Sequence, residues 1–398
     1  MKKTYLIIAA TALVALSACT KNEVSSISDE PSQITWQTVI GPKSTKALVD
    51  GTKFSTDYKF RTYAFYNANG TTWPNEASLY IDNAEVEYHS TAVEGKPFAA
   101  NSWHADQVYY WPKGGSLTFF AYTVINSDGN KENATSYPTV TCNGTDGLKV
   151  DDYNVDTQKN LDFMVADIKS GQTANTTSEA GAANGVPTVF RHTLTQIVKF
   201  NVKTDQDYKG DALTKGSKVV TVNSIKIVKA FRKGDYQMEP DATTRKEEWS
   251  NLSENSTPYE YNVYENSQKV NGQEVTTTGV DLTNEQKAFM PQTFAELTAE
   301  QKALDKRSEA YINAVKAVPH IEFSYKIDTY TNATDHSTDN VTEYVPLSDI
   351  NTEGWGINKK ITYNITISLA GAQNELIIYW DPTVEKWDDT NSSYDYTI

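Results

Sequence analysis

The residue with the most sharply defined chemistry is Cys19. It closes the string Leu16-Ser17-Ala18-Cys19 behind Lys2, Lys3 and a largely apolar run from Tyr5 to Leu16, the order of a bacterial lipoprotein signal. That layout predicts removal of residues 1–18 and acylation of the Cys19 thiol. The apolar run is too short to cross a bilayer as a helix, which takes about twenty residues. Several acyl chains, each adding roughly 0.8 kcal/mol per buried methylene, make a membrane attachment long-lived. The polar, Ser-rich stretch from Thr20 to Ser32 then reads as a tether.

No other set of residues assembles a reactive site by its spacing. The five histidines, His89, His104, His192, His320 and His336, form neither HExxH nor a two-histidine ligand pair. Asn126, Asp128, Asn130 and Glu132 alternate like a calcium loop, but Gly129 is misplaced and no bidentate Glu closes it. The stretch Gly210 to Lys218 lacks the glycine spacing and the Lys position of a phosphate loop. There is no GxSxG elbow, and Cys142 has no cationic neighbour in the sequence to activate it. Asp151-Asp152 and Asp388-Asp389 are adjacent pairs, and strand neighbours point to opposite faces. With Cys19 acylated, Cys142 stands alone, which excludes a disulfide framework and a thiolate metal site within one chain. The sequence therefore predicts no catalytic residue, no metal and no cofactor. Trp103, Tyr109, Tyr110 and Trp111 are assigned to core packing, with stacking on a sugar ring as the alternative.

The elements that carry these residues are strands. Ile361, Tyr363, Ile365, Ile367 and Leu369 alternate with Thr362, Asn364, Thr366 and Ser368, the pattern of a half-buried strand. The same alternation recurs at Ile321, Phe323, Tyr325 and Ile327, at Leu194, Val198, Phe200 and Val202, and around Leu117, Phe119 and Ala121. The 24 tyrosines, with Thr, Val and Ile in the strands, give a β-type composition. Clusters such as Asn143-Gly144-Thr145-Asp146-Gly147 separate them as turns. One amphipathic helix is predicted near 299–317, with Thr298 and Gln301 as a capping box and Leu304, Tyr311, Ile312 and Val315 on one face.

The chain carries a net charge of −15, and losing Lys2 and Lys3 with the signal takes it to −17. That balance argues against nucleic acid or anionic lipid as a partner. The non-periodic stretch from Ser170 to Gly185 divides two strand-rich halves.

Several strings together resemble the fimbrillin family of Bacteroidales, the Mfa-like subunits of type V pili. They are Val108-Tyr109-Tyr110-Trp111-Pro112 followed by Leu117 to Tyr122, Asp162-Phe163-Met164-Val165-Ala166, Phe190 to Gln196, Phe289-Met290-Pro291-Gln292-Thr293, and Tyr363-Asn364-Ile365 with Trp387. The resemblance implies an all-β fold of two tandem transthyretin-like Greek-key β-sandwiches. Signal peptide 1–18 would precede a lipidated segment 19–46, an N-terminal sandwich 47–186 and a C-terminal sandwich 187–398.

The resemblance also implies a structural subunit that reaches the outer membrane through lipid at Cys19, is exposed at the cell surface and assembles with other subunits of its family into a fimbrium. In that family a protease removes the N-terminal segment with its first strand, and a strand of the next subunit fills the groove. Here the leaving strand would be Ile34 to Val39 and the cut would fall between Lys46 and Ala47, since the first arginine, Arg61, lies inside the next strand. The alternative is no cut, which would keep the protein lipid-anchored as the family's anchor subunits are. The donor strand would hold the alternating Tyr394, Tyr396 and Ile398. The rival reading is a monomeric surface lipoprotein that binds glycans through aromatics near Trp103 and Tyr110.

Overall fold

The computed structural model describes residues 32–40, 54–68, 73, 77–96, 98–126, 138–155, 161–174, 185–240, 245–253, 260–265, 272–284, 287–369 and 377–386. The first half of the chain forms β1 (Trp36–Ile40), β2 (Phe60–Asn67), β3 (Ser78–His89), β4 (Ser102–Ala105), β5 (Ser116–Asn126), β6 (Val140–Asn143), β7 (Gly147–Asn154), β8 (Leu161–Ala166), β9 (Lys169–Gln172) and β10 (Val186–His192). The second half forms β11 (Thr195–Thr204), β12 (Lys218–Val228), β13 (Lys233–Met238), β14 (Glu247–Ser253), β15 (Glu260–Glu265), β16 (Gln273–Val275), β17 (Val280–Asp281) and β18 (Lys287–Phe289). It ends in β19 (His320–Tyr330), β20 (His336–Pro346), β21 (Lys359–Ser368) and β22 (Ile377–Lys386).

The largest sheet runs β2-β3-β4-β1-β10-β8-β5-β9, and β5 pairs back onto β2. Seven of its strands therefore make a closed circuit, a flattened barrel whose two walls are packed like the layers of a sandwich. Inward residues of every wall fill it, among them Trp36, Phe60, Val86, Trp103, Phe119 and Phe190. The outer faces of β2, β5 and β8 present Tyr63, Phe65, Phe120, Tyr122, Phe163 and Val165 to a second sheet, ordered β14-β13-β7-β6. Half of that sheet comes from the later chain: β13 pairs with β7, Tyr236 opposite Val150. Asn143 Oδ1 accepts from the Thr145 and Asp146 amides between β6 and β7, the turn chemistry expected there.

The remaining strands pack as two facing sheets, β17-β11-β21-β22 with β18 and β15-β12-β19-β20 with β16. Their inner faces form one core in which Ile361, Tyr363, Ile365 and Ile367 are wholly buried. In β11 the register shifts between Ile197 and Lys199, so Ile197 turns inward and Val198 is only half-buried. The bulge moves the alternation by one residue, which period-two reading alone does not foresee.

The helical region is two short helices, α1 (Ala299–Lys302) and α2 (Glu309–Lys316). Thr298 and Gln301 make the reciprocal capping box. Ser308 caps α2 through the Tyr311 amide. The break between the two turns Leu304 out to 38% exposure, while Tyr311 and Val315 stay buried against Tyr344. A third helix, α3 (Leu347–Ile350), follows β20.

Candidate assembly groove

β1 is the structural feature with the most to say about function. It lies in the slot between β4 and β10, parallel to β10 over five residue pairs, from Trp36 opposite Val186 to Ile40 opposite Phe190. On its other flank a single pair, Trp36 opposite Trp103, joins it antiparallel to β4. Just upstream, the Ile34 amide donates to the Tyr109 carbonyl at 2.8 Å and the Trp111 amide donates to the Ser32 carbonyl at 2.9 Å. Alternation points Ile34 and Trp36 into the barrel, at 2% and 1% exposure. The Trp36 ring meets Phe60 and Phe119 edge-on at 6.5 and 6.4 Å. Its Nε1 is buried with no hydrogen-bond partner among the described residues, an arrangement that costs about 1–3 kcal/mol.

Beyond the segment 41–53, the chain re-enters the barrel at Phe54. That ring is buried, stacks on Phe190 at 4.6 Å and lies 5.5 Å from Trp103. β1 and Phe54 are thus anchored separately, with the intervening segment between them. Phe54, Phe60, Trp103 and Phe190 make an aromatic cluster through ring contacts with one another, and Phe119 meets Trp36 and Trp111 beside it.

The two walls of the slot differ. On the β4 side His104 is buried, its ring stacked on Phe98 at 4.0 Å and 4.9 Å from His89. Burial, reinforced by His89 and Lys96, pushes its pKa down to about 4. On the β10 side Arg191 grips Asp167, and His192 Nδ1 lies 3.0 Å from Asp162 Oδ1. Burial pushes the Asp167 carboxyl up, but the Arg191 hydrogen bonds and the Arg191 and Arg245 charges prevail and hold it below its ordinary range.

The residues singled out by sequence fall in several places. Cys19, Lys46, Ala47, Tyr394, Tyr396 and Ile398 lie outside the described residues. The segment Ile34 to Val39, expected to be a strand, lies in the slot as β1, with its strand bounds one to two residues later. Trp103 and Trp111 are core residues at 7% exposure, and Tyr110 alone of that cluster is exposed, at 37%. Its carbonyl accepts from Tyr80 Oη. Among the described residues no three His, Cys, Asp or Glu side chains converge as metal ligands. Burial pushes the Cys142 thiol well above its usual pKa. Asp152 is exposed on β7 and pairs with Lys233. Sequence reasoning did not single out Gly185, Asp167 or Arg245. Their partners are distant in sequence, and only the string around Phe190-Arg191-His192 hinted at this wall.

A second recess lies on the far sheets beside β20. One hollow of about 460 Å³ runs from β20 to Ile378–Trp380 of β22, and another of about 460 Å³ lies over β19 and β20 and shares Lys306, Glu343 and Tyr344 with it. No helix among the described residues is long and apolar enough to cross a membrane.

Packed, mostly antiparallel sheets, with a short N-terminal strand completing the first from outside the order of its neighbours, define an all-β protein. Residues 45–387 match the fimbrillin-like family, and the chain belongs to that family. The sequence matches no curated protein. A fimbrial protein from Bacteroides vulgatus shares the fold, with a TM-score of 0.56 at 18% identity over 89% of this chain and 99% of that one. A candidate cell adhesion protein from Bacteroides uniformis aligns at 15% identity and a TM-score of 0.41, covering 89% and 98% of the two chains. The tip fimbrial protein Mfa3 from Porphyromonas gingivalis, with C-terminal truncation, aligns at 11% and 0.29, covering 89% and 100%.

Proposed function

We propose that this chain is a structural subunit of a cell-surface pilus, exported as a lipoprotein through Cys19 and joined to its neighbours by strand exchange. Cleavage between Lys46 and Ala47 frees the segment that contains β1. A strand from the next subunit, carrying Tyr394, Tyr396 and Ile398, takes its place. The observation that carries this reading is the seat of β1, held by five pairs on one flank and one on the other.

The physics is that of sheet-edge completion. Removal of β1 leaves Val186 to Phe190 of β10 without a partner on that flank and opens the pockets of Ile34 and Trp36, so an incoming strand gains both a ladder and two apolar seats. The lipid at Cys19 leaves with the removed segment, so outer-membrane attachment belongs to the precursor and surface exposure to the assembled fibre. Burial of Trp103 and Trp111 leaves the rival glycan reading without most of its aromatic platform.

Deleting residues 388–398 from the full chain tests donation. The fold is expected to survive while SDS-resistant multimers disappear. Multimers of unchanged length would place the donor strand elsewhere in the chain.

A further inference from the structure

The β10 wall of the slot is anchored over only half its length. Val186, Pro187 and Thr188 pair with β1, and among the described residues no strand pairs with them on the far side. Pairing to β8 begins at Phe190 and covers Phe190, Arg191 and His192, opposite Ala166, Val165 and Met164. The Asp167 amide donates to the Val189 carbonyl at 2.9 Å, at the join between the two halves.

At that join sits an ion cluster. Arg191 Nε and Nη2 reach the two oxygens of Asp167 at 3.0 Å each, the two-pronged geometry that fixes direction as well as distance. Arg245 Nη1 donates to Asp167 Oδ1 at 3.3 Å and to the Val165 carbonyl at 3.1 Å. Its Nε and Nη2 bind Glu247 at 2.7 and 2.8 Å, and Tyr236 Oη donates to Glu247 at 2.6 Å. The cluster therefore ties three pieces together: β10, the end of β8, and the β13–β14 hairpin of the second sheet.

Resting on the strand-exchange reading, we propose that Arg191, Asp167 and Arg245 are positioning residues, which hold β10 on β8 while the slot is empty so that it keeps the shape of a strand. Val186 to Thr188 then form a lip that opens when β1 leaves, and the join at Val189 to His192 is its fixed end. Without the cluster the lip and its base would move together, and an incoming strand would have to order both before pairing.

The test uses the full chain with a specific protease site replacing residues 43–50, in wild-type form and as Asp167→Asn. Hydrogen exchange is followed first on the uncut proteins. In the wild type, Phe190–His192 should stay protected well after Val186–Thr188 exchange, and in Asp167→Asn the two stretches should exchange together. Equal behaviour of both proteins overturns the inference, whatever the fate of strand exchange.

The cut proteins are then offered a fluorescent Ser32–Ile40 peptide. Entry into wild type with at least tenfold weaker binding to Asp167→Asn is the expected result, and equal binding overturns the inference. Failure of the peptide to enter cut wild type counts against strand exchange itself, while the exchange data still decide the role of the cluster. Should Asp167→Asn fail to fold, Arg191→Lys keeps the charge, loses the two-pronged contact and carries the same expectations.

Discussion

Gly185 lies directly against Thr35 and Trp36. A Cβ there would overlap the Thr35 carbonyl and the Trp36 amide nitrogen, and the glycine has a φ of +105°. The Val186 amide donates to the Thr35 carbonyl at 2.7 Å, so this close approach sets the first rung of the β1 ladder. Gly185→Ala is expected to destabilise the seat by about 1–3 kcal/mol from backbone strain alone, with the overlap adding to it. Faster amide exchange across Trp36–Ile40, with β19 and β21 unchanged, checks it. Unaltered protection of β1 would show that the contact is not what seats the strand.

Trp36 fills the slot from the strand side. Trp36→Ala should cost about 3–5 kcal/mol in the intact chain, the range for a large buried aromatic. Urea unfolding of the full chain reads this directly, and a loss below about 1 kcal/mol would mean that the barrel collapses over the missing ring.

His104 gives the fold a pH dependence with a definite sign. Its folded pKa is pushed to about 4, below the ordinary 6.5, because burial beside His89 and Lys96 disfavours the charged ring. The unfolded chain therefore binds the extra proton first. The stability this group allows is fully present above about pH 6.5 and is lost as the pH falls toward 4, by at most about 1.4 kcal/mol per pH unit. Unfolding free energies at pH 7.5 and 4.5 should diverge in wild type and converge in His104→Gln. An unchanged slope in the variant would assign the pH dependence to other groups.

The hairpin of β13 and β14 makes the first half of the chain dependent on the second. It covers Phe163 with Tyr236 and Trp249 at ring distances of 5.3 and 6.3 Å, and Trp249 Nε1 donates to the Thr193 carbonyl at 2.7 Å. A fragment ending at residue 192 should bind a hydrophobic dye and unfold without cooperativity, since it exposes the outer faces of β2, β5 and β8. Cooperative melting of that fragment would contradict the dependence.

The parts of this fold that were legible are those fixed by local period. Ile361 to Leu369 read inward from alternation alone and are buried. Thr298 and Gln301 marked a helix start, but the stop after Lys302 depends on Ser308 recapping the chain, and Leu304 was lost from the buried face for that reason. Alternation also put Ile34 and Trp36 on one side of a strand. It could not name the neighbours, because β1 meets a strand 150 positions later, in parallel, and period two is blind to partner and direction. The pairing of β13 with β7 escaped for the same reason. Asp167 and Arg245 look like ordinary surface charges until the fold sets Asp167 between Arg191 and Arg245.

The central claim is that β1 is a placeholder for a strand of another copy. Its most direct test is the N-terminus of the subunits inside SDS-resistant multimers extracted from the cell surface, read by mass spectrometry. The account predicts chains that begin at Ala47, with Ser32–Ile40 absent. Multimers built from chains that still carry Ser32–Ile40 would contradict it.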